Sequence, residues 1–127
     1  MKALSRILFV LLIASSLSAC VPYKNLSTHR FGKKIQDDQI QLVDVRTPEE
    51  YAEGHIPGSI NINVKAENRF PILVDSLLNP NQKVAVYCRS GRRSRNAAKI
   101  LTDKGFKVYN LDKGFLNWKE KGREVVE

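Results

Sequence analysis

Only two cysteines, Cys20 and Cys88, and two histidines, His29 and His55, occur in the 127 residues. The longest apolar run near the start, Ile7–Ala14, is short. Each scarcity removes a class of protein. A spanning helix needs about 20 apolar residues, so this run does not cross a bilayer. Two cysteines and two histidines far apart in sequence do not make a zinc site, which takes four ligands, so no metal is expected. Acidic residues are also few, 13 against 21 Lys and Arg. No stretch alternates aromatic with basic side chains, so the positive balance is not read as a nucleic-acid interface. Attraction to anionic lipid headgroups is the more general consequence of such a balance.

What the N-terminus does have is the order of an export signal: Lys2 and Arg6, the apolar run, then small residues. Leu17-Ser18-Ala19-Cys20 is similar to a bacterial lipobox, where cleavage falls before the cysteine and the cysteine is acylated. The expected division is a signal peptide over 1–19, a lipidated tether over 20–26 and one domain over 27–127. An ordinary secretory signal cut near Ala19 is the alternative. Val21 follows the cysteine, with no Asp there to mark inner-membrane retention, so the outer membrane facing the periplasm is the expected address in a two-membrane cell. The membrane, through the lipid anchor, is then a partner. From Cys20 onward 108 residues remain. That suffices for one domain with one core, expected as a monomer. Removing Lys2 and Arg6 from the 21 basic residues leaves 19 against 13 acidic, formally +6.

With Cys20 acylated, Cys88 is the one free thiol. No intramolecular disulfide can form, and no resolving cysteine stands by for disulfide exchange. An unpaired thiol in an oxidising compartment is a reactive group rather than a staple. Its surroundings fit that role. Val84-Ala85-Val86-Tyr87 is a short apolar strand; Cys88-Arg89-Ser90-Gly91-Arg92-Arg93 is a loop; a helix begins near Ser94. The thiolate, not the thiol, is the nucleophile, and positive charge or a helix N-terminus favours it. A loop of this kind also aims backbone N–H groups inward as an anion cradle. Arg89, Arg92, Arg93 and Arg95 fall within seven residues and would concentrate a small dianion at the thiol.

This window resembles the active-site loop of rhodaneses, sulfurtransferases that carry sulfur as a persulfide on one cysteine. Two further stretches are similar to signatures of the same family. One is Leu42-Val43-Asp44-Val45-Arg46-Thr47-Pro48-Glu49-Glu50-Tyr51 followed by Gly54-His55-Ile56-Pro57-Gly58-Ser59-Ile60-Asn61-Ile62. The other is Leu111-Asp112-Lys113-Gly114-Phe115-Leu116-Asn117-Trp118, with Lys113 where a glycine is more usual. The likeness runs from about Ser27 to Gly122, and is greatest to the single-domain exported bacterial type. It implies an α/β fold, a single rhodanese-like domain with a mainly parallel central sheet and helices on both faces.

The local patterns agree with that implication. Ser27 is placed to cap a helix through about Lys34, after a tether Val21–Leu26. Ile40–Val45 is apolar enough for a buried parallel strand. Thr47-Pro48-Glu49-Glu50 has the cap, the early proline and the third-position glutamate of a helix start, with Gly54 as a left-handed stop. Ile60 and Ile62 mark a short strand, Arg69–Leu78 a helix and Asn79-Pro80-Asn81 a turn. After the Val84–Tyr87 strand come a helix Ser94–Lys104 stopped by Gly105, a strand Phe106–Leu111 and a last helix Leu116–Lys121. Strands alternating with helices imply a parallel sheet, with ligands bound outside the carboxyl ends of its strands, where Cys88 falls.

The resemblance implies a double displacement in which Cys88 takes sulfur from a small anionic donor such as thiosulfate and yields it to cyanide or a thiol. N–H groups from Arg89, Ser90, Gly91, Arg92, Arg93 and Ser94 would hold the anionic sulfur. Arg89, Arg92 and Arg93 would bind the sulfonate end, and no cofactor is required. Asp44 and Arg46 are expected to support the loop as an ion pair, with a purely structural role as the alternative. His55 and Trp118 are expected to be structural, and His29 to lie on the surface. A phosphatase or arsenate reductase on the same scaffold would need a longer loop with Arg six positions after the cysteine, where Ser94 stands. A sulfur carrier or binding module without turnover remains the other alternative.

Overall fold

The computed structural model describes residues 22–127; the signal peptide and the lipidation expected at Cys20 lie outside the described residues. Five strands and five helices follow in the order β1 (Lys24–Leu26), α1 (Thr28–Lys34), β2 (Gln41–Asp44), α2 (Pro48–Glu53), β3 (Ile60–Asn61), α3 (Phe70–Leu77), β4 (Val84–Tyr87), α4 (Arg92–Asp103), β5 (Val108–Leu111) and α5 (Gly114–Glu120). The strands form one sheet in the order β1-β5-β4-β2-β3. Every pairing is parallel.

All residues of β4 and β5 are buried, as strands covered on both faces require. Side chains alternate between two cores. Val84, Val86 and Cys88 join Val43, Phe70, Val74, Ala97 and Leu101 on the face covered by α3 and α4. Ala85 and Tyr87 join Phe31, Leu111, Phe115 and Trp118 on the face covered by α1 and α5. The period of two along β4 therefore carries the Cys88 side chain to the α4 side of the sheet.

Helix starts follow their local chemistry. Ser27 Oγ accepts the Arg30 N–H at 3.3 Å. At α2, Thr47 and Glu50 form a capping box with Pro48 in the first turn. Gly105, at φ +96, reverses the chain after α4.

Several expectations change. The tether Val21–Leu26 is in part a strand: Lys24–Leu26 pairs with Tyr109–Leu111 along the edge of the sheet. Three residues with one of them buried carry too little pattern to announce a strand. Asn110, wholly buried, helps hold this edge by donating to Asn25 Oδ1 at 2.9 Å, while its own oxygen meets no protein donor. Gly54 is extended (φ 160, ψ 140) rather than left-handed. Its N–H closes the helix onto the Tyr51 carbonyl at 3.2 Å without a reversal. Helix α4 begins two residues before Ser94, so Arg92 and Arg93 belong to its first turn. Gly91, at φ +100, makes the reversal by itself. The last strand is shorter than Phe106–Leu111 and does not alternate between buried and exposed positions.

Candidate active site

After β4 the chain crosses to β5 on one side; after β2 it crosses to β3 on the other. The carboxyl ends of β2 and β4 thus border the crevice in which such sheets bind ligands. Asp44 and Tyr87 are register partners there, and Cys88 is the next residue.

Cys88 is 1% exposed, and its Sγ accepts the Gly91 N–H at 3.1 Å. Behind the loop, the first turn of α5 takes up its outward carbonyls. Phe115 N–H donates to Cys88 O at 2.8 Å and Leu116 N–H to Arg89 O at 3.0 Å. The Gly91 carbonyl is occupied by the Arg95 N–H and the Ser94 hydroxyl, each at 3.1 Å. With those carbonyls engaged, the Gly91 N–H meets the sulfur, and the first N–H groups of α4, which have no acceptor within the helix, begin at the same loop. The positive end of a 12-residue helix stands at the same place.

Two glycines make this packing possible. A Cβ on Gly91 would lie 2.2 Å from Asp112 O, and one on Gly114 (φ +67) would lie 2.4 Å from Arg89 O. The Cys88 loop and the Asp112–Gly114 turn therefore touch backbone to backbone. The reason for glycine in the third motif is this contact.

Asp44 and Arg46 form a buried ion pair. Arg46 Nη2 donates to Asp44 Oδ2 at 2.6 Å and Nε to Oδ1 at 3.0 Å. Nη2 also donates to Gly54 O at 2.7 Å, and the guanidinium lies 4.3 Å from the Phe115 ring centroid. Burial works against the Arg46 charge, but the Asp44 hydrogen bonds and charge outweigh it and hold its pKa above the ordinary value. Tyr87, fully buried, accepts the Ile56 N–H at 3.0 Å and shares a hydrogen bond with Ser59 Oγ at 3.1 Å. Burial, reinforced by the Asp44 charge, pushes its phenol well up and keeps it neutral.

Arg93 does not point freely at the thiol. It grips Glu50 with two parallel bonds, Nη1 to Oε1 at 2.7 Å and Nη2 to Oε2 at 2.9 Å. The Arg93 hydrogen bond, aided by its charge and by Thr47, overcomes partial burial and lowers Glu50 from 4.5 to about 2. The same partner raises Arg93. Arg95 reaches Asp112 at 3.7 Å with both side chains well exposed, a weak contact. Arg89, Ser90 and Arg92 are exposed at the mouth of the loop, and Ser94 is buried beneath it.

A cleft of about 270 Å³ adjoins the loop, bounded by Arg46, Glu53, Arg89, Phe115, Leu116 and Val125 among others. A larger cavity of about 620 Å³ lies beyond the Asp112–Lys113 turn and does not include Cys88. Arg89 places the smaller cleft against the loop, and Cys88 lines neither cavity. His55 stacks on Tyr51 at 3.7 Å, with Nδ1 2.8 Å from Tyr51 O. Trp118 packs edge-on against Phe31.

Glu50, Tyr87, Gly114 and Phe115 were not among the sequence-derived site residues. Glu50 was visible only as a capping residue, and Gly114 and Phe115 only as parts of a motif without an assigned role.

The comparisons agree with this geometry. The chain belongs to the rhodanese-like domain family, whose model matches residues 27–121. It is 33% identical over 99 residues to the thiosulfate sulfurtransferase GlpE of Shewanella oneidensis, covering 77% of this chain and 94% of that one. A sulfurtransferase of Allochromatium vinosum is 36% identical over 103 residues, covering 80% and 92%. Among solved structures, a rhodanese-related protein from Thermoplasma volcanium superposes with a TM-score of 0.71 at 29% identity, covering 82% of this chain and 98% of that one.

Proposed function

We propose that this domain is a sulfurtransferase that moves sulfane sulfur from thiosulfate to a thiol, or to cyanide in an assay, through a persulfide on Cys88. The observation that carries the reading is the Cys88 Sγ seated under the Gly91 N–H at the N-terminus of α4. The Cys88 thiolate attacks the outer sulfur of thiosulfate. The S–S bond of the donor breaks and its electron pair leaves with sulfite. The outer persulfide sulfur is anionic and rests among the N–H groups of the loop. An acceptor thiolate then attacks that sulfur, the Cys–S to S bond breaks, and the Cys88 thiolate returns. Relatives named thiosulfate sulfurtransferase support the choice of donor.

Of the loop arginines, Arg89 and Arg92 are disposed to meet the sulfonate end, while Arg93 holds Glu50. Export and acylation of Cys20 belong to the same proposal and rest on the sequence of the first 20 residues. The purified protein should convert thiosulfate and cyanide to sulfite and thiocyanate, and Cys88→Ser should abolish this with an unchanged melting transition. Mass spectrometry after thiosulfate treatment should find one added sulfur on the Cys88 peptide. Wild-type turnover by Cys88→Ser would refute the mechanism.

A further inference from the structure

The five strands are parallel, so the molecule has two unlike ends. Cys88 and its loop lie at the carboxyl end of the sheet; the chain enters at the other. Pro22 and buried Tyr23 lead straight into β1, so whatever precedes residue 22 leaves from the amino end of the sheet or its near edge.

That end carries a set of cations. Lys24 opens β1, Lys83 precedes β4, and Lys107 precedes β5; the carbonyls of Lys83 and Lys107 accept from Gln41 and Val84 and so fix their level in the sheet. Helix α1 ends in Lys33 and Lys34, and Lys34 Nζ lies 4.7 Å over the Tyr109 ring, the register partner of Lys24. Lys24, Lys33, Lys83 and Lys107 are exposed. Among the described residues none of the five lysines is in an ion pair, and they outnumber the carboxylates of Asp37, Asp38 and Asp103 exposed at the same end. Leu77, 50% exposed at the end of α3, stands just before the Asn79 turn that Gln41 ties to this end.

We propose that the amino end of the sheet is a docking face for an anionic phospholipid surface, which turns the Cys88 edge away from the bilayer. Three observations join: lysines in excess over carboxylates at this end, the chain emerging there, and the export sequence before it. Its setting rests on the proposed anchoring at Cys20, but the face itself is testable without a lipid chain. A residue-20 anchor leaves only Val21–Tyr23 before the first strand, so this end cannot stand far from the headgroups. Each lysine near an anionic surface strengthens partition about fivefold, and salt weakens it.

Residues 22–127 hold the two cores and the five-stranded sheet among the described residues, so the test uses this segment unacylated, its folding checked by a cooperative urea transition and thiosulfate turnover. It should sediment with vesicles of phosphatidylcholine and phosphatidylglycerol at roughly three to one, and not with pure phosphatidylcholine. Lys83→Gln with Lys107→Gln should weaken partition roughly twenty-fivefold and leave thiosulfate turnover unchanged. Lys65→Gln with Lys113→Gln removes the same charge from the opposite end, and should weaken it less than about threefold. Equal losses in the two double variants, or binding indifferent to phosphatidylglycerol, would overturn the proposal. Acylation of Cys20 is read separately, from the mass of the N-terminal peptide. A lipidated chain whose isolated domain ignores anionic vesicles would keep the anchor and refute the face.

Discussion

Glu50 joins two functions in one carboxylate: it completes the capping box of α2 and it receives both nitrogens of Arg93 from the first turn of α4. The pair therefore clips the β2 side of the crevice to the helix behind Cys88. Its strength can be isolated by pH. In the folded protein Glu50 titrates at about 2 rather than 4.5, lowered first by the Arg93 hydrogen bond. Between those values the unfolded chain binds more protons, so stability rises with pH. The contribution is fully present above about pH 4.5 and is lost as pH falls toward 2. The shift sets a ceiling of about 3 kcal/mol. Solvent reaches both partners, with side-chain exposures of 21% and 27%. Screening brings the expected value to about 1–2 kcal/mol.

The assay is equilibrium urea unfolding of wild type and Glu50→Gln at a series of pH values. Taking the difference at each pH cancels the titration of the other carboxylates. At neutral pH the variant should be less stable by about 1–2 kcal/mol, or about 4–9 °C in melting temperature for a domain of this size. The gap should narrow below pH 4.5 and close near pH 2. A gap that stays constant from neutral pH to 2.5 would mean that Glu50 is not held by its charge, and the clip would be refuted.

Asp44→Asn should cost about 3–5 kcal/mol, because it leaves the Arg46 guanidinium buried without its counter-charge; Asp44→Asn with Arg46→Gln should recover part of this in the same unfolding assay. Gly114→Ala should cost at least about 2 kcal/mol and lower turnover more than tenfold, since both a positive φ and the Arg89 backbone oppose the new methyl group. Gly105→Ala is its control: φ is positive but nothing lies within 4 Å, so about 1 kcal/mol should be lost with turnover intact. Tyr87→Phe should cost about 1–3 kcal/mol by leaving the Ile56 N–H without its acceptor, and native hydrogen exchange at Ile56 should accelerate.

The elements that repeat a local rule were legible in the chain. Val84–Tyr87 is an unbroken apolar run followed at once by Cys88, and the bounds of the strand match. The Thr47–Glu50 capping box was equally plain, because its partners lie three residues apart. What escaped involves groups distant in sequence. Arg93 and Glu50 are 43 residues apart, and no spacing rule links them. Arg93 thus looked like one more free loop cation. Gly114 looked like a motif residue until its backbone was seen against Arg89. The edge strand β1 was hidden by its length, and it exists through pairing with β5 rather than through its own composition.

The arginines around Cys88 also divide their roles in a way that composition conceals. Arg93 is committed to Glu50, and Arg95 leans toward Asp112, so the bare charge count overstates the field at the sulfur. Arg89 and Arg92 remain exposed, one beside the cleft bounded by Phe115, Leu116 and Val125, the other on the opposite flank with Lys65 and Glu67. On the proposed mechanism, an anionic donor can be met from either side by an arginine. The transferred sulfur would be held by backbone N–H groups common to both approaches. On that mechanism the donor is met by side chains around the loop, while the transfer depends on a backbone that Gly91, Gly114 and the first turn of α5 keep in place.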